Sequence, residues 1–172
     1  EYKALWQFTV EYLRDEKDLH NLLYCFSTDI CENIEEYMEY YPGDDYVDIM
    51  GMDDYWDVGE RGNPENLTMR LRMLVELAEA HNKIPVLSET GFETIPHESW
   101  WTDILLHHIK KDPTASRIAY LLVWRNARLN HHYAPYSGHI SAPNFQEFVQ
   151  DSTILLESQL PKMYKVKRKK AK

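Results

Sequence analysis

Four short apolar runs in the chain are each followed by polar groups able to do chemistry: Ser27-Thr28-Asp29, Asp53-Asp54-Tyr55-Trp56, Ser88-Glu89-Thr90-Gly91 and Trp124-Arg125-Asn126. The opposite ends of the same runs read Asp18-Leu19-His20, Gly43-Asp44-Asp45, Asn82-Lys83 and Ala115-Ser116-Arg117, which are ordinary turn residues. Acids, aromatics and an arginine therefore gather at one set of ends only. Carboxylates among aromatic faces suit cleavage of a glycosidic bond. In its retaining form one carboxylate attacks the anomeric carbon, and a second carboxyl group about 5–5.5 Å away protonates the leaving oxygen.

Each residue has a plainer alternative. Glu89 closes Ile84-Pro85-Val86-Leu87-Ser88, the kind of rigid element a nucleophile needs; a solvated or ion-paired glutamate is equally open. Tyr55 could donate its phenol to Glu89, orienting the carboxylate and keeping it ionised, or lie on a loop surface. Trp124 could offer a face to a sugar ring or sit in the core. Arg125 could hold sugar hydroxyls or a carboxylate with its planar fork, or make a structural ion pair. Asp53 and Asp54 could accept sugar hydroxyls or cap a loop.

The elements that position these residues follow from hydrophobic spacing. Strands are expected at 21–26, 46–52, 84–88 and 117–124. Helices are expected at 2–14, 33–40, 64–81, 98–111 and 144–160, the long one starting at Pro64 with Leu67, Leu71, Leu74 and Leu77 as its stripe. Helices alternating with single strands imply a parallel sheet with right-handed crossovers. A doubly wound sheet usually opens on a strand followed by a Gly-rich turn; this chain opens on a helix and has six Gly, none in such a turn. A (β/α)8 barrel carries its active site at the C-terminal strand ends but needs about 250 residues. With 172 residues and four strands, the expected fold class is α/β, the C-terminal half of such a barrel: helix four to helix eight, with strands five to eight.

Composition narrows the partners. Hydrophobic residues at 44% and charged residues at 27% fit a globular domain and exclude wholesale disorder. The segment 162–172 holds seven of the 19 basic residues and no acid, leaving 12 basic against 28 acidic residues in 1–161. The chain thus divides into a half-barrel at 1–161 and a basic tail at 162–172. So acidic a body repels phosphate backbones, so nucleic acid is not its partner. The tail reads as a solvated end, with an address or anion-binding arm as the alternative. No apolar run approaches the ~20 residues of a membrane span. Twelve Tyr and five Trp supply flat amphipathic surface suited to an uncharged ligand such as a sugar, or to a helix exterior. Cys25 and Cys31 form neither a disulfide framework nor a zinc site. His107-His108 and His131-His132 read as surface histidines, since helix neighbours point ~100° apart and chelate poorly. Asn66-Leu67-Thr68 matches a glycosylation sequon, but Asn66 is expected in the first turn of its helix.

Three segments, Asp44 to Trp56, Pro85-Val86-Leu87-Ser88-Glu89-Thr90-Gly91 and Tyr120-Leu121-Leu122-Val123-Trp124-Arg125-Asn126-Ala127, closely resemble the endo-1,4-β-mannanases of glycoside hydrolase family 26 in order and spacing. Tyr2-Lys3-Ala4-Leu5-Trp6 and Asn21-Leu22-Leu23-Tyr24 also fit. The resemblance implies a retaining mechanism on β-mannan, glucomannan or galactomannan, with no metal or organic cofactor. It implies Glu89 as nucleophile, Tyr55 as the residue orienting it, and Asp53, Trp124 and Arg125 as substrate-binding residues. It also implies secretion or a cell-envelope location. The family's acid/base is a Glu in a His-Glu motif at the end of strand four, which would lie just upstream of Glu1; Glu1, Glu93 and Glu98 do not match it. This chain is therefore expected to hold half the site and to need a complementary N-terminal half-barrel, from the same precursor or a second chain, or to self-associate. The alternatives are another β-glycanase specificity of the family (β-1,3-xylanase or mixed-linkage glucanase), a non-catalytic carbohydrate-binding half-barrel, and an unrelated open α/β domain.

Overall fold

The computed structural model describes residues 1–161, so the basic tail at 162–172 lies outside the described residues. Four parallel strands form one sheet in the order β1-β2-β3-β4: β1 (Cys25–Thr28), β2 (Ile49–Asp54), β3 (Ile84–Thr90) and β4 (Leu121–Val123). The helices are α1 (Tyr2–Glu11), α2 (Ile34–Met38), α3 (Pro64–Ala80), α4 (His107–Lys110) and α5 (Ala142–Gln150). This is the strand-helix alternation read from the sequence.

One side of the sheet holds the core. Phe26, Met50, Met52 and Leu87 pack there against Tyr37, Leu67, Leu71, Leu74, Trp100 and Trp101, all fully buried. α3 begins where Asn63 accepts a hydrogen bond from Glu65 N and Pro64 fills the first turn. Its expected leucine stripe is buried along its whole length. The Tyr37 hydroxyl lies 3.2 Å from Phe26 O and 3.0 Å from Gly51 O, tying α2 to two strands. Residues Ile84, Val86 and Ser88 alternate onto the sheet's other side. There Ile84 (46%) and Leu122 (44%) stay exposed, and among the described residues β1 and β4 are open edges.

Several boundaries differ from expectation. β1 starts at Cys25 rather than 21, because residues 21–23 are exposed and Tyr24 N donates to the Asp48 side chain, not to a strand backbone. Only Leu121–Val123 of 117–124 pair as strand; Arg117 instead ends a 3-10 turn and grips Glu79 with Nε at 2.8 Å. Segment 98–111 is a π-helix (Trp100–Leu106) running into α4. Its wider turn lets two consecutive indoles both reach buried acceptors, Trp100 on Val58 O and Trp101 on Ser141 Oγ. The last helix stops at Gln150 rather than 160, because Asp151 captures Thr153 N and Thr153 Oγ1 in a local turn and accepts from Lys110. His108 and His132 are buried, not surface residues: His108 Nδ1 faces Ile104 O in the preceding π-helix, and His132 packs on His139.

The loop leaving β2 is fixed by buried charge. Asp57 is fully buried and accepts from Arg70 Nε at 2.9 Å, while Arg70 also reaches Glu32 and Cys31 O. Asp54 Oδ1 accepts from Asp57 N at 2.9 Å, and Asp54 Oδ2 is buried without a partner. Burial, reinforced by the neighbouring Asp57 carboxylate, pushes the Asp54 carboxyl up to about 7. Its unfolded value is about 3.9, so the folded chain binds a proton there that the unfolded chain releases. Stability from this group is complete below pH ~4 and lost as pH rises towards about 7. Asp54→Asn keeps the shape without titrating. Urea unfolding from pH 4 to 7 should show a shallower loss of stability in that variant; an unchanged slope would mean that Asp54 is ionised in the fold.

Candidate active site

The sheet register builds the site. β2 and β3 pair Gly51 with Val86 and Met52 with Leu87, then Asp53 with Glu89, so Ser88 is an extra residue in β3. β4 meets the same irregularity, pairing Leu121 with Leu87 and Val123 with Thr90. Strict alternation would send Glu89 to the helix side with Leu87. The bulge turns it back, opposite Asp53.

Tyr55, the first residue after β2, donates its hydroxyl to Glu89 Oε2 at 3.1 Å. Partial burial, then the carboxylate it faces, holds the Tyr55 phenol well above the ordinary tyrosine range, so it stays a donor. Asp53 Oδ1 accepts from Ser27 Oγ at 2.9 Å and lies 3.1 Å from Ser88 Oγ; the two hydroxyls are 2.5 Å apart. Gly51 makes this meeting possible, because a Cβ there would stand 2.4 Å from Ser88 Oγ and 3.1 Å from Ser27 Oγ. At the end of the sheet, Thr90 Oγ1 donates to Asp54 O and Trp124 N donates to Thr90 O, which sets the ends of β2, β3 and β4 level. Trp124 is half-buried and Arg125 exposed at that rim.

Of the expected residues, the fold therefore joins Glu89, Tyr55 and Asp53 directly and leaves Trp124 and Arg125 one strand away on the same edge. Asp54 faces the core and caps the loop through Asp57 N. Glu93 lies beyond the end of β3 and pairs with His131 at 2.6 Å.

Four participants escaped sequence reasoning. Ser27 and Ser88 carry no signal of their own. Gly51, a lone glycine inside Ile49-Met50-Gly51-Met52, was a legible sign of close approach. Tyr133 lies against Tyr55, ring centroids 5.7 Å apart, and against Gly91, whose missing Cβ would stand 2.6 Å from Tyr133 Cδ1. Its loop is held by Asn126 Oδ1, which accepts from Tyr133 N and Ala134 N, and by Thr94 N donating to His132 O.

The family model described as glycosyl hydrolase family 26 matches residues 1–124. A mannan endo-1,4-β-mannosidase of Bifidobacterium adolescentis is 37% identical over 98 residues, 53% of this chain and 10% of that protein. Among solved structures, the family 26 β-mannanase of Bacteroides ovatus superposes with TM-score 0.85 at 39% identity, covering 99% of this chain and 49% of that one. GH26C of Muricauda sp. gives TM-score 0.87 at 35% identity, covering 95% and 45%. The chain thus spans about half the length of these solved relatives and a tenth of the Bifidobacterium protein. The likeness makes the four-stranded sheet part of a (β/α)8 barrel.

The meeting of strands at Gly51 is open to direct test. Gly51→Ala should lower unfolding stability by roughly 1–3 kcal/mol through overpacking, and Ser88→Ala in the same chain should recover part of the loss. Chemical denaturation of the two single variants and the double variant measures this; additive losses would show that Gly51 does not act through Ser88.

Proposed function

The chain belongs to glycosyl hydrolase family 26, and from that premise we propose that it serves hydrolysis of β-1,4-mannan, glucomannan or galactomannan by a retaining double displacement, contributing the nucleophile side of the site. The observation that carries this reading is Glu89, turned by a bulge to face Asp53 and held by the Tyr55 hydroxyl at 3.1 Å.

Glu89 attacks the anomeric carbon and forms the glycosyl-enzyme bond as the leaving oxygen takes a proton; water then cleaves that bond. The Tyr55 donor fixes the attacking carboxylate by one oxygen, Oε2, and leaves the other free. Asp53 has Oδ1 occupied by serine hydroxyls, so Oδ2 can accept a sugar hydroxyl. Trp124 offers a face to the sugar ring, and Arg125 a fork to its hydroxyls. These steps use carboxyl and hydroxyl groups and call for no metal or organic cofactor.

The acid/base comes, on this reading, from a complementary set of strands in the same precursor or a second chain, with self-association as the other way to close the sheet. The open edges at β1 and β4 and the exposed Ile84 and Leu122 support it, since unpaired edges beside apolar surface call for a covering partner. The described residues include no helix long and apolar enough to cross a membrane; a secreted or cell-envelope setting and a separate basic tail at 162–172 belong to the same proposal.

In the active protein, Glu89→Ala should lower kcat/KM on mannan by roughly 10⁴-fold or more, and Tyr55→Phe by roughly 10²-fold, as expected for loss of one oriented donor. Proton NMR of the first products should show the β anomer; immediate formation of the α anomer would overturn the retaining assignment. Residues 1–172 alone should release no sugar from mannan until mixed with the complementary strands. Full turnover by this segment by itself would refute the divided site.

A further inference from the structure

We propose that Tyr133 is a positioning residue for the nucleophile: its ring holds the Tyr55 ring so that the Tyr55 hydroxyl stays on Glu89, and the loop after β4 is built to keep it there. This rests on the glycan-cleaving reading above, in which Glu89 attacks and Tyr55 orients it.

Among the described residues the Glu89 carboxylate takes one side-chain hydrogen bond, from Tyr55 at 3.1 Å. Its direction therefore depends on where a single phenol points. That hydroxyl sits at the far end of a long side chain, so a small swing of the ring carries it out of hydrogen-bond reach. Asp57 and Arg70 fix the loop backbone behind Tyr55, but the ring itself is only half-buried and still has to be held. The aromatic ring that packs on it is Tyr133, with centroids 5.7 Å apart and planes at 74°. That is the edge-to-face arrangement aromatic pairs favour.

The seat of Tyr133 is cut by Gly91, two residues past Glu89. Gly91 has φ +141°, and a Cβ there would meet Tyr133 Cδ1 at 2.6 Å and Tyr133 Cβ at 3.4 Å. The strand end that carries the nucleophile thus also makes room for the ring that positions it. The backbone of Tyr133 is pinned by one side chain. Asn126 Oδ1 accepts from Tyr133 N and Ala134 N, both at 2.9 Å, and Asn126 Nδ2 donates to Ala134 O at 2.8 Å.

Strain on the facing loop points the same way. Thr94 and Ile95 have φ of 62° and 43°, a left-handed backbone that β-branched residues rarely adopt. Such strain persists where surrounding contacts over-determine it. Here Thr94 N donates to His132 O at 2.8 Å, and His139 Nε2 lies 3.0 Å from Thr94 O. The His131 ring packs on Tyr133 with centroids 5.5 Å apart and sets its Nδ1 2.6 Å from Glu93 Oε1. Three ties thus join the loop after β4 to the loop after β3, and two of them fall on His131 and His132, directly before Tyr133. The Tyr133 hydroxyl makes no hydrogen bond among the described residues, so what these ties deliver is the ring.

The test uses the active protein, this chain with the strands that complete its barrel, acting on a short aryl β-mannoside. Tyr133→Ala should lower kcat roughly tenfold with KM little changed, a smaller loss than Tyr55→Phe because the displaced hydroxyl still finds Glu89 part of the time. Tyr133→Phe, which keeps the ring, should turn over like the parent. In a Tyr55→Phe background there is no hydroxyl to aim, so Tyr133→Ala should cost nothing more in kcat. Asn126→Ala keeps both rings but frees the loop, and should show part of the kcat loss, again only while Tyr55 has its hydroxyl; it carries the test if Tyr133→Ala does not fold. Additive losses, no loss in kcat, or a raised KM at unchanged kcat would overturn the proposal, while turnover by the parent upholds the glycan-cleaving reading. If the parent cleaves no glycoside, that reading fails, and a crystal structure of Tyr133→Ala decides the contact by itself: a Tyr55 hydroxyl moved off Glu89 supports the positioning role, and one still seated on Oε2 overturns it.

Discussion

The site depends on how closely three strands approach one another at Gly51. A side chain there would occupy the space in which Ser27 and Ser88 meet, and a Cβ would fall 2.4 Å from Ser88 Oγ. With hydrogen in its place, hydroxyls from β1 and β3 converge on Asp53 of β2 and settle which carboxylate oxygen stays free. Ser88 is also the extra residue of the β3 bulge, so the residue that holds Asp53 is the one whose insertion turns Glu89 toward it. One glycine and one bulge thus set both carboxylates, and neither can be altered without disturbing the other.

Behind this sheet edge, the loop from Asp54 to Gly62 is held by polar groups taken out of water. Burying Asp57 is tolerable because Arg70 meets it with a charge-assisted hydrogen bond, and removing one partner of such a pair usually costs far more than the pair contributes. The same loop carries Tyr55 and Trp56. Rigidity built from a buried ion pair and the Trp100 indole is what allows a single hydroxyl to fix the Glu89 carboxylate at a strand end, where a loose tyrosine would spend its hydrogen bond on water.

The order of elements, the parallel sheet and the cluster of Glu89, Tyr55 and Asp53 were legible because they rest on signals that survive in one dimension. Apolar runs give strands, the leucine stripe gives α3, and residues after each run share a rim. What escaped depends on geometry across strands. Nothing in Ser27 or Ser88 separately marks them as partners 61 positions apart. The bulge is invisible to periodicity, which would have put Glu89 on the wrong face of the sheet. Helix ends failed where side chains outbid the backbone: Asp151 captures Thr153 and stops α5 ten residues before the apolar pattern does. His108 and His132 looked like surface residues because a buried imidazole needs only one or two local partners, and spacing does not reveal those.

The two features left unfinished by these strands point to one solution. On the proposed reading the nucleophile on β3 needs a proton donor about 5–5.5 Å away, while among the described residues the nearby carboxylates stand in other roles: Asp53 is held by two serines through Oδ1, and Glu93 is paired with His131. The sheet needs partners for two open edges and cover for Ile84 and Leu122. Further parallel strands joined at β1 and β4 would meet the second need by burying that face, and their C-terminal ends would then project across the same rim as Glu89, where a proton donor must stand. The apolar demand of the fold and the acid–base demand of the chemistry are therefore met together by barrel closure. On the proposed reading, assembly of the barrel is itself the step that completes the active site.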